Sequence, residues 1–416
     1  MTFPVTRSVA LALAIAVSGS ALEATAQSFS NHGPLRLLPA SAQDQVAAPL
    51  RAPAAGQLAT GDLDRTPAAL SWPLDPEAAL DARPQAFVQE SREYWLDASE
   101  AELQRGVSLA LSAPGAVIRL SPHAGNSGAR IERRDIVLRA PGPHLHADAL
   151  MQALADEDAL REAGMDVPAG SVALRLVDSY AGNRIELAVP TARGAWLVHV
   201  YEPNSKVVLR LRAERDSIAA GEALRVHAEF PAGIAPSAVS GLVSAPDGHS
   251  QPLEFTRGAD GRFVAQVVPD LAHAGARGLW EVHAYAQAAY PAVPRDARSA
   301  FSVALPVARL DGRVERTANR SKPLALRIGV EAIAASRYQL SAVLYGRATD
   351  GNQRPAAAVQ SAAWLEAGTG FIDLEFDAAS LSAGGLVSPW ELRDLRLVNQ
   401  ADLGLIERRE RALMVP

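Results

Sequence analysis

Apolar and polar residues alternate with a period of two over much of residues 204–305. In Leu224-Arg-Val-His-Ala-Glu-Phe230 every second side chain is apolar, so an extended chain would have one apolar and one polar face. Turn dipeptides interrupt the pattern at Asp247-Gly248 and Asp260-Gly261. Short alternating segments separated by turns predict an antiparallel β-sandwich, and roughly 100 residues suit one immunoglobulin-like domain.

The same alternation returns in residues 306–416. Apolar residues recur at every second position from Leu324 to Val330 and again from Tyr338 to Leu344. Asp350-Gly351-Asn352 provides a turn between later segments. We therefore predict a second β-sandwich at the C-terminus.

Residues 72–203 combine helical and strand patterns. Ser99 is followed three residues later by Glu102, the capping-box pattern that begins a helix. A second helix is predicted over 147–163, where apolar residues recur at helical spacing before Gly164. Alternating stretches elsewhere predict strands, so we expect a mixed α+β domain here and a mostly β protein as a whole.

The chain begins with the pattern of an export signal. Arg7 precedes an apolar stretch that ends near Leu22, and Ala24-Thr25-Ala26 forms a cleavage pattern. We predict a signal peptide at residues 1–26. Residues 27–71 are rich in Ala and Pro and lack periodicity, which predicts a disordered arm.

Composition narrows the function classes. The 416-residue chain has a formal net charge of −6 at pH 7, and a mildly acidic chain with mixed charges argues against nucleic acid as a partner. No stretch after the signal is apolar enough for a transmembrane segment. The absence of cysteine excludes disulfides, thiolate catalysis and cysteine-ligated zinc. We expect a periplasmic or secreted protein.

Five stretches share features with a known family. They are Tyr94–Leu103, Gly106–Pro122, Trp196–Pro203, Tyr338–Gly346 and Ser388–Leu397. These stretches resemble the exported bacterial family labelled domain of unknown function 4785. The resemblance covers most of the chain after the arm and implies a three-part, β-rich exported protein with an immunoglobulin-like middle. It implies no catalytic residues.

One short segment contains potential metal ligands. His144, His146 and Asp148 lie two residues apart, and residues at this spacing share one face of a strand. The alternative is a helix entry that follows Pro141-Gly142-Pro143. The two interpretations remain open, so the metal assignment is unknown.

Two histidines of the middle domain have acidic neighbours. His227 and His283 fall on the polar faces of predicted strands, beside Glu229 and Glu281. They could form a paired site across the sheet, or each could be solvated on an outward face.

Aromatic residues of the last domain are candidates for a sugar platform. Phe371 and Tyr345 fall on the less apolar faces of their strands, so we expect them to be exposed. Trp390 lies among leucines and suits the core. The four candidates are Trp364, Trp390, Phe371 and Tyr345.

The familiar catalytic and cofactor motifs are absent. The sequence has no Gly-x-Ser-x-Gly or His-Glu-x-x-His pattern and no phosphate-binding glycine loop, so we predict no catalytic residues and no cofactor. The preferred hypothesis is an exported multidomain binding or scaffolding protein whose partner is an unknown macromolecule, protein or glycan. The alternative is a secreted hydrolase or carbohydrate-binding accessory protein, with the chemistry in the first domain.

Overall fold

The computed structural model describes residues 35–81, 87–124, 130–141, 147–234, 236–274, 277–317 and 322–416. The fold is mostly β, with 51% strand and 7% helix, which confirms the predicted class. Three separate hydrophobic clusters follow one another along the chain, and we call the regions around them the first, middle and third domains. No helix within these ranges is long and apolar enough to cross a membrane.

The first domain packs a five-stranded sheet, β3-β10-β5-β8-β7, against a three-stranded sheet, β4-β9-β6. Buried Trp196 and Leu103 lie at its centre. Its helices are α1 (Glu100–Arg105), α2 (Ala147–Leu150) and α3 (Glu157–Glu162), with a 3-10 turn at Arg133–Asp135. The strands of this part of the chain are β1 (Ala68–Pro73), β2 (Gln89–Ser91), β3 (Glu93–Ala98), β4 (Val107–Ala110), β5 (Val117–Pro122), β6 (Val137–Arg139), β7 (Met151–Ala155), β8 (Val172–Leu176), β9 (Arg184–Ala188) and β10 (Trp196–Tyr201).

Of the two helices predicted in the first domain, the one that begins at Ser99 is confirmed and the one over 147–163 is not. The Ser99 hydroxyl accepts from the Glu102 amide and the Glu102 carboxylate accepts from the Ser99 amide, so α1 begins with the predicted capping box. The single helix predicted over 147–163 is wrong. Strand β7 interrupts it because residues 151–155 pair with β8, and Asp156 then caps the start of α3.

The middle domain encloses its core between two five-stranded sheets, β16-β17-β13-β11-β2 and β12-β19-β18-β14-β15. Trp280 is buried against Phe301 in this core. Strand β2 comes from the chain before the first domain and covers the edge of β11. The domain's own strands are β11 (Leu209–Ala213), β12 (Ser217–Ala219), β13 (Leu224–Glu229), β14 (Pro236–Ser244), β15 (Ser250–Glu254), β16 (Thr256–Arg257), β17 (Phe263–Val267), β18 (Trp280–Ala288) and β19 (Pro294–Ala304).

The third domain combines a three-stranded sheet, β20-β21-β24, with a five-stranded sheet, β1-β23-β22-β25-β26. Tyr338 and Phe376 are fully buried between them. A short helix, α4 (Ala378–Ser382), follows β24. The strands are β20 (Ala308–Thr317), β21 (Leu324–Ala332), β22 (Ser336–Arg347), β23 (Gln353–Leu365), β24 (Gly368–Phe376), β25 (Val387–Asn399) and β26 (Gly404–Val415).

The described part of the predicted arm is ordered against the third domain, so the prediction of disorder is wrong for residues 35–71. Leu37 and Leu58 pack against the third core. The Leu38 amide donates to the Ala412 carbonyl (2.8 Å), and β1 pairs with the edge of β23. The composition of this segment predicted disorder because it lacks periodicity. A segment of this kind can still be ordered when its backbone bonds to the unpaired N–H and C=O groups at the edge of a sheet.

Candidate functional site

A cleft of about 470 Å³ lies where the first domain meets the middle domain. One wall is the outer face of the five-stranded sheet of the first domain, and the other is the outer face of strands β18 and β19. Side chains at its lining include Trp95, Asp97, Arg119, Tyr285, Asp296 and Arg298. The size falls within the range of small-ligand sites, and such sites occur preferentially between domains.

Strand register places a row of three side chains on the first-domain wall. His199 of β10 is directly opposite Trp95 of β3 on one side and Arg119 of β5 on the other. The His199 and Trp95 rings stack, with centroids 4.7 Å apart, and His199 Nε2 lies 2.9 Å from Glu93 Oε2. These contacts fix the orientation of the Trp95 ring at the cleft.

The middle-domain wall is formed by two cross-strand pairs. Tyr285 of β18 lies opposite Asp296 of β19, and His283 lies opposite Arg298. His283 bonds to Glu281 (3.2 Å), whereas the Tyr285 ring is substantially exposed. Burial lowers the pKa of His283, so this imidazole is favoured in its neutral form.

Asp296 is the residue that joins the two walls. The Trp95 amide donates to Asp296 Oδ2 (2.7 Å), and the Ser91 hydroxyl donates to the Asp296 carbonyl (2.5 Å). Only 7% of Asp296 is exposed. Burial raises the pKa of its carboxyl to about 6, a rise that the bond from Trp95 opposes. A carboxyl group at the cleft therefore changes charge in the mildly acidic range.

A fully buried ion pair holds the two walls together just behind the cleft. Glu202 and Arg295 have no exposed side-chain area, and Arg295 Nη2 donates to Glu202 Oε2 (2.6 Å). The other Glu202 oxygen accepts from the Ser112 amide (2.6 Å), and Arg295 Nε donates to the Val207 carbonyl (2.8 Å). Such complete pairing is what makes two charges tolerable away from water. The pair positions β19 against the first domain.

The predicted metal ligands are not tested by this structure. His144 and His146 lie outside the described residues, and Asp148 is the second residue of α2. Among the residues that the structure describes, no group of three or more His, Asp or Glu side chains could hold a metal ion.

His227 and His283 do not form a paired site. They lie on β13 and β18, which belong to the two different sheets of the middle domain, and both are on outward faces. His227 is beside Arg210, Arg212 and Arg262, and burial together with Arg212 lowers its pKa. The prediction of outward positions is therefore correct, and the pairing across one sheet is wrong.

Arginines contact three of the four aromatic rings that were predicted as a sugar platform in the third domain. Arg65 lies over the Trp364 ring at 4.3 Å, and Arg393 lies over Tyr345 at the same distance. Phe371 is contacted by two further guanidinium groups. Trp390 packs against the core. Trp364, Tyr345 and Phe371 thus make cation–π contacts within the chain, and Tyr345 also lines a separate cavity of about 400 Å³.

The residues that form the cleft were largely missed from sequence. Trp95 and Arg119 lie within stretches that carried the family resemblance, but nothing in the sequence placed them side by side. The available signal was their outward position in alternating strands. The position of Asp296 depends on contacts between strands that are about 200 residues apart along the chain.

Comparisons with known proteins identify the family. The model of the DUF4785 N-terminal domain matches residues 59–202, and the model of the DUF4785 C-terminal domain matches residues 307–416. Together they cover more than half of the chain. The chain belongs to the DUF4785 family. The resemblance inferred from sequence is confirmed, and the family label itself assigns no activity.

A solved member of the DUF4785 family has the same fold. The crystal structure of a family protein from Legionella pneumophila subsp. pneumophila str. Philadelphia 1 is 20% identical, with a TM-score of 0.65. The match covers 91% of this chain and 99% of that one. A putative membrane anchored protein from Corynebacterium diphtheriae is 9% identical, covers 83% of this chain and 91% of its own, and has a TM-score of 0.19, too low to carry an argument. No curated protein matches the chain.

Proposed function

We propose that this DUF4785 protein is an exported binding protein that holds a glycan in the cleft between its first and middle domains. The N-terminal pattern over residues 1–26 supports export. The observation that carries the proposal is the lining of the cleft. Aromatic rings from both walls, Trp95 and Tyr285, lie among carboxyl, imidazole and guanidinium groups.

The chemistry of this lining suits a sugar. An aromatic ring packs against the apolar face of a sugar ring, while polar side chains beside it bond to the hydroxyl groups. Trp95 is held in place by its stack on His199, so little side-chain freedom is lost on binding. The cleft volume of about 470 Å³ lies within the range of sites that take small ligands, which favours a short glycan.

A panel of soluble oligosaccharides, measured by isothermal titration calorimetry with the purified full chain, tests the proposal. Tyr285→Ala should weaken binding of the best ligand at least tenfold, because it removes one aromatic wall. Tyr201→Ala is the matched control, since Tyr201 is exposed to a similar degree but does not line the cleft. Binding that is absent, or that responds equally to both substitutions, would refute this function.

A second candidate function is hydrolysis of the bound glycan. Asp97 and Asp296 line the same cleft, and the pKa of Asp296 is raised to about 6. Glycosidases use two carboxyl groups, one of which has a raised pKa and acts as the acid. This arrangement would use both domains rather than the first alone.

Product analysis separates the two candidates. Binding alone predicts that the oligosaccharide is recovered intact after long incubation. Hydrolysis predicts shorter products, and both Asp97→Asn and Asp296→Asn should abolish them. Cleavage that survives both substitutions would place the chemistry elsewhere or in a contaminant.

A further inference from the structure

Arg119 differs from the other charged residues that surround the cleft. It is half-buried, it lines the cleft, and it has no hydrogen-bond or ion-pair partner among the described residues. Its Nε is buried and unpaired. Buried polar groups in native proteins are nearly always paired, so an unpaired one calls for an explanation.

The neighbouring charges are already paired. Asp97 bonds to His123 (2.8 Å) and Glu93 bonds to His199 (2.9 Å). Arg298 lies 3.8 Å from Glu281, which also bonds to His283. Asp296 accepts from the Trp95 amide. Arg119 is therefore the charge of the cleft that has no partner among the residues that the structure describes.

The fork of donors on a guanidinium group matches a planar oxyanion. A guanidinium group can donate two parallel hydrogen bonds to one carboxylate, and Arg119 presents such a group at the lining of the cleft. A single unpaired cation balances a singly charged carboxylate, whereas a phosphate dianion is usually held by several cations.

We infer that Arg119 is the anion-recognition residue of the cleft and that the ligand is an acidic saccharide whose carboxylate binds this guanidinium. The inference rests on the proposed glycan-binding function. It adds a charge requirement to that function. The sugar ring would lie between the aromatic walls while its carboxylate reaches Arg119 on the sheet of the first domain.

The test compares acidic oligosaccharides with neutral counterparts of the same shape. Oligosaccharides of glucuronic, galacturonic, mannuronic and guluronic acid are each titrated into the full chain beside their methyl esters. We expect at least one acid to bind at least tenfold more tightly than its ester. Arg119→Gln should reduce the affinity for that acid to the level of the ester, and Arg119→Lys should retain part of the preference.

Arg175→Gln is the matched control. Arg175 lies on β8, opposite Val117 of β5, and therefore faces the same side of the sheet as Arg119. It pairs with Asp178 and is not part of the cleft lining. Its substitution should leave the preference unchanged. If Arg119→Gln does not fold, ¹⁵N NMR of the unmodified chain provides the test. The Nε resonance of Arg119 is assigned by its loss in Arg119→Lys. This resonance should shift when the acid is added and should not shift when the ester is added.

The outcomes distinguish this inference from the proposed function. Equal binding of acids and esters, still weakened by Tyr285→Ala, would overturn the carboxylate inference and leave the glycan-binding proposal standing. A preference for acid that survives Arg119→Gln would also overturn it. No binding of any member of the panel would overturn both.

Discussion

The two junctions of the middle domain are built from different materials. At its junction with the first domain, charged groups meet: Glu202 pairs with Arg295 out of contact with water, and Asp296 bonds to the Trp95 amide. A cleft remains open beside them.

The junction with the third domain is closed instead by hydrogen bonds from backbone amides to short polar side chains and by a close contact between two small residues. The Leu405 amide donates to Ser217 Oγ (3.1 Å), and the Leu305 amide donates to Asp402 Oδ2 (3.0 Å). Gly404 lies directly against Ala304, so that an added Cβ would come within 2.4 Å of the Ala304 Cα.

This difference suggests separate roles for the two junctions, one in holding domains together and the other in binding a ligand. At the junction with the third domain, the polar side chains of Ser217 and Asp402 are bonded to backbone amides, so they hold the two domains together. The junction with the first domain buries two charges, an arrangement that is costly unless both are paired. It leaves a polar cleft beside them, where the Arg119 guanidinium has no partner in the described part of the chain. We therefore place the ligand site at the first junction.

The largest expected effect comes from breaking the buried ion pair. Glu202→Gln leaves the Arg295 guanidinium buried without a counter-charge, and loss of one partner of such a pair costs about 3–5 kcal/mol. Urea denaturation at pH 7 should show this loss in the free energy of unfolding. The surface pair Arg130–Asp156 provides the control, because exposed ion pairs contribute little to stability and Arg130→Gln should cost far less than Glu202→Gln. Similar losses in the two variants would mean that the buried pair does not hold the junction.

A smaller effect, opposite in sign, is expected at Asp296. Its pKa in the folded protein is about 6, above the ordinary value of 3.8, so the folded protein keeps a proton that the unfolded chain releases between these values. Its contribution to stability is therefore complete below about pH 4 and is lost as the pH rises through 6. Above pH 6, Asp296→Asn should raise the free energy of unfolding by about 2 kcal/mol. This is less than the roughly 3 kcal/mol that corresponds to the full difference between the folded and ordinary pKa values.

Unfolding measured from pH 4 to pH 8 checks this prediction. The stability gain of Asp296→Asn should be small at pH 4, grow towards pH 6 and stay constant above it. Asp178→Asn is the control, because Asp178 is exposed and its partner Arg175 keeps its charge throughout this pH range, so no such pH-dependent difference is expected. Loss of stability at pH 7.5 in Asp296→Asn would contradict the assignment. A variant that is more stable but binds ligand less well would show that the charged carboxylate is kept for function.

The last prediction, whose expected size is similar to that for Asp296, tests the closed junction. Gly404→Ala places a Cβ against Ala304, and forcing such a group into a packed contact costs about 1–3 kcal/mol. Thermal unfolding should show the loss, whereas ligand binding at the distant cleft should be unchanged. Gly61→Ala serves as the control because its added Cβ would meet nothing within 4 Å. Equal stability of the two variants would mean that the contact at Gly404 relaxes without cost.

The sequence by itself determined the β-rich class, the alternating segments that become β13, β21 and β22, and the start of α1. Period-two alternation defines which side chains of a strand face inward, and the capping box at Ser99 and Glu102 acts within four residues. Both signals are local, so they can be read without knowing which strands become neighbours. The family relationship was also readable from short stretches of sequence.

Only the tertiary structure decided which outward side chains meet. Alternation predicts that Trp95, Arg119 and His199 face outward, but their row depends on β10 lying between β3 and β5. Pairing between strands also explains two wrong predictions. Residues 35–71 are ordered against the third domain, where β1 pairs with β23, and residues 151–155 form a strand because they pair with β8. Backbone hydrogen bonds between strands are nearly the same for any sequence. The choice of neighbours therefore depends on how whole domains pack, and that packing is what brings Asp296 to the wall that contains Arg119.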